Sequence, residues 1–95
     1  MATYSESNLL AVVNGSRTTT GVLYTCPANR YAIVSLRVRD NCYCTVDDGI
    51  VASDSAGSDS VQHHNQIILD AGQTIQAVIA GSGYSSYTAL EYSKP

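Results

Sequence analysis

Between Tyr31 and Arg39 the chain alternates strictly, with Ala32, Val34, Leu36 and Val38 at even positions and Tyr31, Ile33, Ser35, Arg37 and Arg39 at odd ones. A period of two is the signature of a half-buried β-strand, so the even face is expected to pack inward. The odd face, with two arginines and a tyrosine, is left for solvent or another chain. Upstream, Val22 to Thr25 is a β-favouring run that stops at Cys26-Pro27-Ala28-Asn29, where proline chemistry predicts a turn and a hairpin. Asn14-Gly15 divides Leu9 to Val13 from Thr18 to Thr20, and Asp48-Gly49 divides Cys42 to Val46 from Ile50 to Ala52. Both dipeptides tolerate the positive φ of two-residue hairpin turns. Ala71-Gly72 separates Ile67-Ile68-Leu69 from Thr74 to Ala80, and Gly81-Ser82-Gly83 separates that segment from Tyr84 to Tyr92. No window keeps apolar residues at helical spacing. The pattern therefore predicts an all-β fold with little or no helix: a single antiparallel β-sandwich, jelly-roll or Ig-like, of about seven or eight short strands.

The 95 residues suit one domain spanning 1–95, with no charged or Pro-rich break to divide it. Residues 53–60, SDSAGSDS, are too small and polar to offset the entropy of ordering them, which predicts a mobile crossover between sheets. Residues 1–8 are polar and lack strand alternation; they read either as a flexible N-terminal arm that orders on a partner or as a frayed terminus. A chain of this size buries only about 60 to 65% of its unfolded surface, so further burial against a copy of itself is expected.

Composition narrows the function. Charged residues make up only 14% of the chain against 44% hydrophobic ones, so the surface is polar without being ionic. A net charge of -3 supplies no field for nucleic acid, and no stretch is apolar enough to span a bilayer. The first residues lack the basic and apolar regions of a secretion signal, and Cys26, Cys42 and Cys44 are odd in number and without metal spacing. Free thiols and synthesis in a cytoplasm are expected.

A nucleophile elbow needs Gly-x-Ser-x-Gly, which neither Gly57-Ser58 nor Gly81-Ser82-Gly83 supplies; the latter also lacks the third glycine of a dinucleotide loop. His63 and His64 are adjacent, so on a strand they point to opposite faces and cannot readily share a metal ion; at an oligomer axis, symmetry copies of one could converge. Asp47-Asp48-Gly49, Asp54 and Asp59 lack the ligand spacing of a calcium loop. No catalytic residue, cofactor or metal site is assigned. The seven tyrosines, with no Phe or Trp, offer large rings whose hydroxyls can stay wet, a property suited to interfaces. Tyr4, Tyr31, Arg37, Arg39, His63, His64, Tyr84 and Tyr87 are the expected interface set.

Two segments, Leu23-Tyr24-Thr25-Cys26-Pro27-Ala28-Asn29-Arg30-Tyr31-Ala32-Ile33-Val34 through Asp40-Asn41 and Leu69-Asp70-Ala71-Gly72-Gln73-Thr74-Ile75-Gln76-Ala77-Val78, are followed by Glu91. Together they resemble the small β-sandwich proteins of tailed-bacteriophage virions, over the stretch from Gly21 to Tyr92. The resemblance implies a virion protein assembled in a host bacterial cytoplasm and carries over no catalytic residue. The role it implies is capsid cement or decoration: a homo-oligomer, expected to be a trimer because trimers fit three-fold junctions, that bridges capsomers of the major capsid protein. The alternative it implies is a tail or fibre module that binds host glycan through Tyr84, Tyr87 and residues 53–60.

Overall fold

The computed structural model describes residues 9–54 and 61–94. Eight strands follow one another: β1 (Leu9–Arg17), β2 (Gly21–Thr25), β3 (Arg30–Arg39), β4 (Tyr43–Val46), β5 (Gly49–Ser53), β6 (Val61–Leu69), β7 (Thr74–Val78) and β8 (Tyr84–Ser93). They form two four-stranded antiparallel sheets, ordered β1-β8-β3-β6 and β2-β7-β4-β5. The chain changes sheet at every connection except β4 to β5. This order and crossing pattern is that of an eight-stranded jelly roll, a β-sandwich as expected from the alternation.

The central strand β3 shows why the sequence folds this way. Ala32, Val34, Leu36 and Val38 are buried, while Ser35 and Arg37 between them are exposed. Burying those four apolar side chains against the other sheet supplies on the order of 1.5 to 3 kcal/mol for each of the larger ones. Leu69 of β6, Ile75 and Ala77 of β7, Cys44 of β4, Ala52 of β5 and Ala89 of β8 close the same core. Its small side chains keep the two sheets close.

Several turn expectations need correction. Asn14-Gly15 is not a turn: both residues lie inside β1, opposite Thr88 and Tyr87 of β8, and the bend falls at 18–20 instead. Gly15 serves close approach, since a Cβ there would stand 3.0 Å from Tyr87 Cε1. The β4–β5 hairpin turns one residue earlier than Asp48-Gly49: Asp47 and Asp48 carry the positive φ values, 51° and 65°, and Val46 pairs with Gly49. The proline turn does not make a hairpin, because β2 and β3 belong to different sheets. Instead Asn29, at φ 64°, helps the chain arch from one sheet to the other. The strand expected over 74–80 ends at Val78, and the one read at 67–69 extends back to Val61. Within 53–60, Ser53 ends β5 and Asp54 is buried, its carboxylate accepting the Asp40 amide at 3.1 Å. The rest of that segment, like the expected arm at 1–8, lies outside the described residues, but the connection does join β5 in one sheet to β6 in the other.

Candidate binding surface

The outer face of the β1-β8-β3-β6 sheet gathers most of the chemistry that the core does not use. Cross-strand register aligns Val12 with Leu90, Leu90 with Ile33, and Ile33 with Ile68, which makes one apolar row across all four strands. Val12 is 56% and Ile68 64% exposed, so the row is bare at both ends. Beside it Leu10 is also exposed, and Tyr31 stacks on Tyr92 with ring centroids 5.2 Å apart. Large exposed apolar side chains are ordinary singly, but a contiguous row of them marks an interaction surface.

Along the strands the face turns polar. Asn14, Thr88 and Ser35 form the next row, followed by Ser16, Ser86, Arg37 and His63. A concavity of about 430 Å³ opens among these side chains. Farther along, Arg39 lies between Tyr84 and Val61, its guanidinium 6.0 Å from the centre of the Tyr84 ring. No strand residue of this face is acidic. Two carboxylates follow its strand ends and are engaged, Asp40 by the Ser82 hydroxyl and by Arg39, whose Nε lies 3.9 Å away, and Asp70 by the Lys94 amine.

Of the residues expected at an interface, Tyr31, Arg37, Arg39, His63 and Tyr84 share this face. Tyr87 and His64 do not. Tyr87 sits opposite Leu36 on the inner side, its ring 5.0 Å from that of Tyr24, and burial raises its phenol pKa. His64 also faces Leu36 across the β3–β6 pair, with Nε2 3.3 Å from the Ser53 carbonyl oxygen. Tyr4 lies outside the described residues. Leu10, Val12, Ile33, Ile68, Leu90 and Tyr92 were missed. Their signal was present in Ile33, an apolar residue on the otherwise polar face of β3, and in the runs Leu9 to Val13 and Ile67 to Leu69, which are apolar on both faces.

Among the described residues a charged cluster lies in the interior around Glu91. Glu91, 3% exposed, accepts a hydrogen bond from the Tyr24 hydroxyl and one from Arg30 at 2.7 Å. Burial, then the hydrogen bond to Glu91, drive the Tyr24 pKa far up, which keeps the phenol protonated. Burial likewise raises the thiols of Cys26 and Cys44, against the helpful hydrogen bond that Ser85 makes with Cys44. Buried, protonated thiols are poor nucleophiles and poor metal ligands. Among the described residues neither histidine meets a serine hydroxyl or a cysteine thiol, and no three His, Cys, Asp or Glu side chains group to hold an ion. Asp47 accepts from the Gln73 amide at 2.9 Å, a bond that ties two turns together.

Comparison of the chain with family models, with curated proteins and with solved structures finds no match.

Proposed function

We propose that this protein is a structural subunit of a bacteriophage virion, a cement or decoration protein that lays its β1-β8-β3-β6 face on a shell of major capsid protein. The observation that carries the reading is the apolar row Val12, Leu90, Ile33 and Ile68, exposed at both ends and half-buried between them, set beside Arg37 and Arg39. Four strands about 4.8 Å apart and some nine residues long give this face on the order of 600 Å², close to the roughly 800 Å² that each side of a standard interface buries. The chemistry required is mechanical: area buried across joints between capsomers, multiplied when several linked copies bind together. The residues that carry the likeness to phage virion proteins, from Leu23 to Asn41 and from Leu69 to Val78 with Glu91, include Tyr24, Arg30 and Glu91, the three that make the buried cluster. The likeness therefore rests on residues that hold this sandwich together. The glycan alternative has less behind it, because Tyr84 and Tyr87 lie on opposite faces of β8 and cannot form one platform.

The test is to add purified protein to phage shells that lack it and follow the temperature at which they open. Wild-type protein should raise that temperature, and a Val12→Ser/Ile68→Ser double variant should not, while its own unfolding shifts by no more than about 0.5 kcal/mol per exposed site. Sedimentation of the free protein as a trimer is the companion expectation. Shell melting that stays unchanged at saturating wild-type protein would overturn the reading.

A further inference from the structure

We infer that the concavity between Arg37 and His63 is a receptor pocket for a carboxylate, supplied by an aspartate or glutamate side chain of the protein on which this face sits. The inference rests on the proposed docking of this face and names what that docking recognises. Its basis is a mismatch of donors and acceptors. Arg37 of β3 stands directly opposite His63 of β6 and Ser86 of β8. Arg37 and His63 make no hydrogen bond or ion pair among the described residues, and the lining contains no carboxylate. Arg37 can only donate and His63 carries at least one ring N–H, so a carboxylate between them would accept from both.

Ser16, Ser35 and Ser86 put short hydroxyl side chains on the floor, and β6 carries one extra residue here: Ser35 alone lies between Val34 and Leu36, whereas Asn65 and Gln66 both lie between their partners Ile67 and His64. Gln66 takes a left-handed conformation at φ 64°, which marks the bulge that keeps His63 on the outer face. A guanidinium binds a carboxylate through two parallel N–H donors, and the serine hydroxyls can fill its remaining lone pairs. A second copy of this face is a poor occupant, since it brings arginines and no strand carboxylate to meet them. A heterologous acidic surface is the complementary one.

The probe is N-acetylglutamate, titrated into the isotope-labelled protein and followed by backbone amide shifts. Saturable shifts at Ser35, Arg37, His63 and Ser86 are expected, with none at Asp47 or Thr74. N-acetylglutaminamide, which has no carboxylate, should produce none of them. Arg37→Gln should weaken the response about tenfold or more, as loss of a charge-assisted pair requires, whereas Lys94→Gln should leave it intact. Equal shifts from the amide, or an unchanged response in Arg37→Gln, would overturn the pocket, and glucuronate saturating where N-acetylglutamate does not would overturn the protein source of the carboxylate. The Val12→Ser/Ile68→Ser variant separates this from the docking itself. It should keep the N-acetylglutamate response while losing the shell, so a failed shell assay with an intact titration would count against the docking alone.

Discussion

Gly83 shows how a single position can be fixed by its neighbours' backbone. A Cβ there would run into the Arg39 carbonyl oxygen and Cys42 Sγ and crowd Asp40 Cβ at 3.1 Å. Gly72 has the opposite situation: its φ of 82° favours glycine, but nothing stands within 4 Å. Gly83→Ala should therefore cost about 2 to 3 kcal/mol through overpacking, and Gly72→Ala about 1 kcal/mol through conformation alone. Urea midpoints of the two variants measure the difference, and equal losses would show that the β3–β8 end can yield. From sequence, Gly81-Ser82-Gly83 and Asn14-Gly15 look alike, as turn signals. One is a turn whose last glycine is held by packing, and the other sits within a strand where Gly15 makes room for Tyr87. Local propensity reads the dihedral preference of glycine but not the atom that would collide with its missing side chain.

Strand β6 marks the limit of reading faces by alternation. Counting back by twos from Leu69 and Ile67, both on the inner side, would put Asn65 and His63 inside and His64 outside. The extra residue reverses this, so that His63 pairs with Arg37 on the outer face and His64 with Leu36 on the inner one. A bulge leaves no trace in a period-two pattern, and the polar stretch Gln62 to Gln66 carries no alternation from which to see a strand at all. By contrast β3 was legible residue by residue, because it is central, paired on both sides and apolar on one face only. Tyr31, Arg37 and Arg39 are accordingly on the face that the alternation gives them, while the apolar row needed the register between four strands. If Gln66 is the inserted residue, deleting it should leave a regular ladder with the His63–Arg37 and His64–Leu36 pairs unchanged and stability within about 1 kcal/mol of wild type, since a strained conformation is removed as the bulge is lost. Cross-strand amide and α-proton contacts report this directly. A pairing shifted by one residue would place the insertion elsewhere.

Among the described residues the fold separates its charges by location: Arg37 and Arg39 on the broad face of one sheet, Asp40, Asp47, Asp48 and Asp70 in or beside turns, Arg30 paired with buried Glu91, and protonated thiols and phenols within. That last feature governs how the protein should respond to alkali. Burial raises the pKa of Cys26, Cys44, Tyr24 and Tyr87 in the native state, so all four hold their protons more tightly when folded. In the unfolded chain the thiols release protons near their ordinary value of about 8.5 and the phenols near about 10. Below about pH 8 both states are protonated and these groups leave stability independent of pH. Above that the unfolded chain deprotonates first, so stability should fall with rising pH, by up to about 1.4 kcal/mol per pH unit for each group that stays protonated in the fold. Denaturation midpoints taken between pH 7 and 10.5 should decline in two stages, thiols first. Cys44→Ala, which removes a fully buried thiol, should flatten the first stage and leave the second, where Tyr24 is protected by Glu91. A midpoint that held level to pH 10 would mean that the thiols titrate alike in both states, and that the core is open to water where the packing of β4 against β7 and β8 says it is dry.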